Sequence, residues 1–257
     1  MKIIIFVMNP DKYYERRKAL TQLLEKTPFQ FQFIAINDDL ELTPTAITKN
    51  HDSQRTIDSF GRDFSLGELA STLNHLHSYK KFLESENDLA IIMEDDADFI
   101  VDEFIFIIEQ IIKIINNSKP QVYLLTPVIS YLNKKSRNLS RNYKVVEVIQ
   151  SWDSSGYIIN REAAERMINA NYKSWFIADD WVRYKRHANV DILSVIPTII
   201  KQNLDIFDSN LMGARNKAIK KKSLKYVLSR ASYKIISDVK KYFWLIPFKG
   251  YVRNKNV

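Results

Sequence analysis

Leu89-Ala90-Ile91-Ile92-Met93-Glu94-Asp95-Asp96-Ala97-Asp98 runs from five apolar residues straight into four carboxylates within five positions. An apolar run with no polar alternation is the pattern of a strand buried on both faces. In open α/β sheets, ligands bind beyond the carboxyl ends of the strands, which is where these acids stand. Like charges at this density repel one another unless a cation lies between them. Hard oxygen ligands suit Mg²⁺ or Mn²⁺, which commonly bridge to substrate phosphates, so Glu94, Asp96 and Asp98 are candidate metal ligands. The plainer alternative is an acidic turn that caps the next helix, a task Asp102 could perform alone.

Outward from this strand, apolar runs alternate with helical periodicity. Strands are expected at 2–8, 31–36, 122–125, 145–149, 156–159 and 192–196, and helices at 12–26, 66–84, 102–116, 161–170 and 179–187. The alternation predicts an α/β fold with a mainly parallel central sheet. Residues 37–63 and 127–144 lack periodicity and are expected to be loops. Glycine is scarce, with five residues, and neither G-x-G-x-x-G nor a P-loop occurs, so dinucleotide-binding and P-loop classes have little support.

Composition excludes other classes. The 257 residues are 46% hydrophobic and 26% charged, the balance of a globular protein rather than a disordered or collagenous chain. With no cysteine there is no disulfide framework, thiolate metal site or cysteine nucleophile. The opening Ile3-Ile4-Ile5-Phe6-Val7-Met8 resembles a signal core but stops at Asn9-Pro10-Asp11, which suits a first buried strand. No run reaches the ~18–20 apolar residues of a spanning helix. The expectation is a chain kept inside the cell.

Two further segments carry candidate chemistry. Ser65-Leu66-Gly67-Glu68 is a capping box that opens a helix. Further along, Glu68, Ser71 and His75 share a stripe distinct from that of Leu69, Leu73 and Leu76, and a helix start suits a diphosphate. His51, His77 and His187 lack such company and are read as structural. Ala178-Asp179-Asp180-Trp181 places two acids before a helix, where either serves as an N-cap or as a general base toward an acceptor hydroxyl.

Charge is uneven. Residues 213–257 hold thirteen Lys/Arg and one acid, Asp238, so this tail carries +12 and the rest of the chain, out of a total of +8, carries −4. Leu224, Val227, Leu228, Ala231, Ile235, Val239 and Tyr242 form one helical stripe beside these cations, followed by the aromatic run Tyr242 to Phe248. The domain reading is therefore a slightly acidic body, 1–212, and a basic amphipathic tail, 213–257, suited to an anionic membrane surface. The stripe would equally serve to pack on the body. No nucleic-acid motif accompanies the charge, so no nucleic-acid partner is expected.

Five blocks together resemble glycosyltransferase family 25 of lipopolysaccharide and lipooligosaccharide synthesis. They are Asn9 with Arg16-Arg17; Phe64-Ser65-x-Gly67-Glu68 through Asn74-His75; Met93-Glu94-Asp95-Asp96-Ala97; Gly156-Tyr157-Ile158-Ile159 with Ala163-Ala164; and Asp179-Asp180. Asn74 departs from the family's usual Ser and Ser71 from its frequent Cys. Asp208-Ser209-Asn210 matches a downstream block only in part. The resemblance implies a GT-A-like nucleotide-sugar fold and a divalent cation, Mn²⁺ or Mg²⁺. It also implies inverting transfer, most often of galactose from UDP-galactose, to a glycan or glycolipid acceptor. On that model Asn9, Arg17, Ser65, Glu68, His75 and Asp95 attend the nucleotide-sugar, Glu94, Asp96 and Asp98 the metal, and Asp179 or Asp180 the acceptor. Such an enzyme would work in the cytoplasm, peripheral on the inner face of a bacterial inner membrane. The competing classes are a metal-dependent phosphohydrolase or nucleotidyltransferase using the same acids, and a non-catalytic membrane-surface binding protein.

Overall fold

The elements follow in the order β1 (Ile3–Asn9), α1 (Tyr14–Leu24), β2 (Gln30–Ala35), α2 (Pro44–Asn50), α3 (Ser53–Phe60), α4 (Leu66–Glu84), β3 (Leu89–Glu94), β4 (Ala97–Asp98), α5 (Val101–Ile114), β5 (Gln121–Leu124), β6 (Ser130–Asn138), β7 (Lys144–Gln150), β8 (Gly156–Asn160), α6 (Arg161–Ala170), α7 (Trp181–Arg183) running into a π-helical turn at Tyr184–Ala188, β9 (Asp191–Ile196), β10 (Lys201–Gln202), α8 (Ile246–Lys249) and β11 (Tyr251–Arg253). The computed structural model describes residues 1–10, 12–36, 42–203, 242 and 245–254.

Among the described residues, nine strands form one sheet in the order β11-β6-β7-β9-β5-β8-β3-β1-β2, and β4 and β10 form a separate two-stranded ribbon. The pairs β1–β2, β1–β3 and β5–β9 are parallel, as strands alternating with helices require. The other five pairs of the large sheet are antiparallel, so the sheet is mixed rather than mainly parallel. The cause lies in 127–144, expected to be loop. Its β6 is largely exposed and Lys-rich, so it shows no apolar signal, yet it pairs back on β7. After this pair the chain enters β8 between β3 and β5, antiparallel to both.

Both faces of the sheet are covered, which is why β1, β3 and β8 read as continuous apolar runs. Ile5, Val7, Leu89, Ile91 and Met93 face α1 and α5, where Leu20, Leu24, Phe104, Ile107, Ile108 and Ile111 bury their side chains. Phe6, Met8, Ala90, Ile92, Tyr157 and Ile159 face α4, α6 and α7, packing against Leu76, Tyr79, Phe82, Ala163, Met167 and Trp181. At Gly156 a Cβ would lie 2.5 Å from Ile200 Cδ1, so this first residue of β8 has no room for a side chain. Arg161 ties α6 to the end of α4 by donating to the carbonyls of Phe82, Leu83, Ser85 and Asn87 at 2.7–3.3 Å.

Residues 37–63 are not simply loop. Thr43 caps α2, which has Pro44 in its first turn, and Asp52 caps α3. This insert docks on the segment after α6. Ser174 and the Asn50–Asp52 backbone exchange hydrogen bonds of 2.8 and 3.1 Å, Thr56 Oγ1 donates to Trp175 O, and the Arg55 guanidinium lies 3.7 Å from the Trp175 ring centroid.

The stripe from Leu224 to Val239, Asp208-Ser209-Asn210 and the 212/213 boundary lie outside the described residues. The chain's last described strand, β11, belongs to the main sheet, paired antiparallel with β6 (Tyr251 opposite Leu132). No described helix is long and apolar enough to cross a membrane.

Candidate active site

Parallel pairing of β1 and β3 sets Met8 opposite Glu94, so the carboxyl ends of the two strands coincide. This brings Asn9 to the acids. Its Nδ2 donates to Asp95 Oδ2 at 2.7 Å, and Arg16, from the first turn of α1, donates to Asp95 Oδ1 at 3.2 Å. Burial pushes the Asp95 carboxyl above its usual value, against the pull of Asn9 and Arg16. Asp95 therefore clasps β3 to β1 and α1. Of the adjacent arginines, Arg16 is the one that reaches the acids. Arg17 is exposed and lies over the Phe33 ring of β2, 4.5 Å from its centroid. One residue on a helix is a rotation of about 100°, enough to send the two in different directions.

Glu94 is held on one oxygen. Its Oε1 accepts from Ser154 Oγ at 3.2 Å and from His75 Nε2 at 3.4 Å. Ser154 reaches it because β8 runs antiparallel to β3, with Met93 opposite Gly156, which lays the preceding loop against the acids. The neighbouring Asp96 has a buried Oδ1 with no hydrogen-bond partner. Burial, then the charges of Glu94 and Asp95, push its carboxyl up to about 7. Asp98 is exposed on β4, opposite Lys201 in the ribbon. Among the described residues no three His, Cys, Asp or Glu side chains gather as a metal site, so the expected trio of Glu94, Asp96 and Asp98 does not assemble.

Glu94 and Asp96 alone nevertheless fit Mg²⁺ or Mn²⁺, which are usually held by one or two carboxylates and complete their shells with water and substrate phosphate. The Asp96 oxygen without a donor, on a carboxyl raised by burial and then by its acidic neighbours, is compatible with that role.

α4 opens with the complete capping box: Glu68 N donates to Ser65 Oγ at 3.2 Å and Ser65 N to Glu68 Oε2 at 2.9 Å. Glu68 is buried and also receives both guanidinium nitrogens of Arg62, at 2.7 and 2.6 Å. Ser65 and Glu68 are thus engaged with the helix start and Arg62. One face further along, His75 is 1% exposed. Its Nδ1 lies 2.8 Å from Tyr157 Oη, which lies 2.7 Å from Tyr79 Oη.

The Asp179-Asp180 corner is tied to the same helix: Ala178 N donates to Thr72 Oγ1 at 3.2 Å, and Trp181 packs edge-on against Tyr157. Asp180 is 1% exposed, caps α7 by accepting from Arg183 N, and pairs with the Arg183 guanidinium. Asp179 is half-buried beside it. Asp153 is a further, half-buried acid at this end of the sheet, accepting from Ser155 N and Oγ at 2.9 and 2.6 Å; partial burial pushes its carboxyl up. Arg16, Arg62, Ser154, Tyr157 and Tyr79 were not selected as site residues from sequence. Only Arg16 and Tyr157 stood in blocks that pointed there. A surface depression lined by Lys2, Ile3, Gln30, Glu86 and Asn87 lies at the amino ends of β1 and β3, away from these acids.

The model of glycosyltransferase family 25 (LPS biosynthesis protein) matches residues 2–183. No curated protein matches the chain. Among solved structures, one from Desulfovibrio desulfuricans G20 described as a nucleotide-diphospho-sugar transferase is 11% identical, with a TM-score of 0.38 over 93% of this chain and 98% of that one. A CMP:2-keto-3-deoxy-manno-octonic acid synthetase complexed with CTP is 8% identical, with a TM-score of 0.41 over 93% of this chain and 100% of that one. A glycosyltransferase involved in glycosylation of the major capsid of PBCV-1 is 9% identical, with a TM-score of 0.32 over 77% and 95%. These three likenesses are distant and carry no weight on substrate.

Proposed function

Because the chain belongs to glycosyltransferase family 25, a family of lipopolysaccharide biosynthesis, we propose that it transfers galactose, with inversion to a β linkage, from UDP-galactose to an acceptor sugar of lipooligosaccharide or lipopolysaccharide. The observation that carries a diphosphate-bearing donor is the orphaned, buried oxygen of Asp96 next to the one-sidedly held Glu94, at the carboxyl ends of β1 and β3. On a GT-A-like scheme this is the donor end of the sheet. Mg²⁺ or Mn²⁺ held by Glu94 and Asp96 would offset the charge of the departing diphosphate.

In the transfer, the acceptor hydroxyl oxygen bonds to the anomeric carbon while that carbon's bond to the UDP oxygen breaks. The hydroxyl proton passes to a carboxylate, and UDP leaves with the bonding pair. We assign the proton to Asp179, since Asp180 is committed to capping α7 and to Arg183. Asn9 and Arg16 fix Asp95 and so hold the ends of β1 and β3 together. His75 and Ser154 fix Glu94.

The acceptor is a lipid-linked glycan, and we assign the anionic membrane surface to the basic segment 213–257. In support, that segment carries +12, and Tyr242, Ile246 and Phe248 are exposed beside Lys249. On this proposal the enzyme works peripherally on the inner face of the inner membrane.

The test is a screen of UDP-, GDP- and CMP-sugars with Mn²⁺, reading nucleotide release with and without a lactose- or glucose-ended acceptor. Release of UDP from UDP-galactose only when acceptor is present is the expected result. Equal release without acceptor would instead make the protein a phosphohydrolase.

A further inference from the structure

The link from β7 to β8, residues 151–155, touches both acidic places at once. On one side Ser154 Oγ donates to Glu94 Oε1 at 3.2 Å, and the Ser155 carbonyl accepts from Glu94 N at 3.0 Å. On the other, the Asp153 carbonyl accepts from Trp181 Nε1 at 2.8 Å, and Trp181 directly follows Asp179 and Asp180. The rest of the link is pinned as well: Ser151 Oγ donates to Pro127 O at 3.1 Å, and Asp153 Oδ1 accepts from Ser155 N and Oγ. Ser151, Ser154 and Ser155 are buried and Asp153 is half-buried. Within this link only Trp152 faces out, 44% exposed.

A single exposed apolar side chain is ordinary; the place of this one is not. Trp152 is one residue from the carbonyl that holds Trp181 and two from the serine on Glu94, which puts its Cα within ~7.6 Å of the Cα of Ser154. An indole has two χ angles, so on a pinned link it loses little entropy when a ligand orders it. Its flat face is apolar and its N–H is a donor at the rim. A pyranose ring matches both, with C–H groups grouped on one face and hydroxyls around its edge. In the proposed transfer the acceptor sugar lies between the diphosphate departing at Glu94 and the carboxylate of Asp179, and the link runs between those two places.

We propose that Trp152 is the platform of the acceptor subsite: its indole takes the C–H face of the acceptor's terminal pyranose and so aims that sugar's hydroxyl toward Asp179. That the bound sugar is an acceptor rests on the transferase reading above; the stacking of a saccharide on Trp152 does not.

The experiment uses the full-length protein with Mg²⁺ and UDP present, and methyl glucoside, lactose and N-acetyllactosamine as probes. Saturation-transfer NMR, irradiating the aromatic protons, should carry signal to the ring C–H protons of at least one probe. That signal should persist in Trp152→Phe and fade in Trp152→Leu, which keeps apolar bulk without a flat face. Affinity for the same probe should fall about three- to tenfold in Trp152→Leu, the range for losing one ring contact, and recover most of that in Trp152→Phe. In transfer assays the acceptor KM should rise by the same factor with the donor KM unchanged. Trp152→Gln, suited to an exposed position, serves if Trp152→Leu does not fold. No probe bound by wild type, or equal binding by wild type and Trp152→Leu, would overturn the proposal. A loss confined to UDP would overturn it too, by putting a nucleobase on the indole. Saccharide binding that depends on Trp152, without consumption of any UDP-sugar, would support the subsite and count against the donor assignment alone.

Discussion

Asp96 carries the largest imbalance between charge and surroundings at the site. Its carboxyl sits at about 7 where 3.8 is ordinary, so the metal-free folded chain binds this proton more tightly than the unfolded chain does. Stability of the metal-free protein should therefore fall as pH rises from about 4 to about 7, the window between those two values. Asp96→Asn removes that loss. Thermal melts in EDTA should show the variant above wild type at pH 8 and level with it near pH 4, while transfer is abolished. A variant that melts lower at pH 8, or that retains transfer, would contradict the assignment. The acids were legible in sequence because their density behind an apolar strand is itself the signal. That Arg16 is the arginine bonded to Asp95 was not, since two adjacent arginines have the same composition and differ only in helical phase. Ser65 and Glu68 were legible as a capping box, and Arg62, which pairs with Glu68, explains the burial of that acid without any ligand.

At the level of elements, α2 and α3 hold the insert against the segment that leads to Asp179. His51 is the pin: Nδ1 lies 2.6 Å from Ser174 O and Nε2 2.6 Å from Asp63 Oδ1. Asp63 also accepts from Ser53 Oγ and from Phe64 N at 2.8 Å. Burial alone would raise this carboxyl, but the hydrogen bonds from Ser53, His51 and Phe64 hold it below 3.8. A lowered carboxyl stabilises the fold above its unfolded value, and that contribution is lost as pH falls through the folded one. Asp63→Asn should thus lower the melting temperature at pH 7, with the difference shrinking below about pH 4, and should speed proteolytic nicking within 37–63. A pH-independent difference would place the effect elsewhere. None of this was readable from residues 37–63, because two short polar helices bury too little to leave a periodic stripe. β3 and β8 were readable because their burial is nearly complete, α4 because its buried residues recur at helical spacing behind a capping box, and β6 was not because its Lys-rich middle faces solvent.

For the molecule as a whole, an acidic body and a basic segment have separate tasks on the proposed reading. Lys220→Gln, Lys221→Gln and Lys222→Gln together should weaken sedimentation with phosphatidylglycerol vesicles while leaving transfer to a small soluble acceptor within about twofold. Binding by wild type should also fall with salt, as expected for exposed charges at a Debye length of about 8 Å in physiological salt. Unchanged sedimentation in the triple variant would remove the membrane role. The charge asymmetry was legible in the sequence; the pairing of β11 with β6 was not, since it joins residues more than a hundred positions apart and leaves no local trace. The described residues before and after 204–241 are held in the fold. Asn203 donates its N–H to the Asp96 carbonyl at 2.9 Å, and Tyr251–Arg253 forms the outermost strand of the sheet. Cutting the chain at residue 213 would therefore not trim a dangling end. It would strip the rim of the sheet and bare a row of unpaired amides and carbonyls on β6, inviting the same rim of another molecule, and such a truncation would announce itself as self-association.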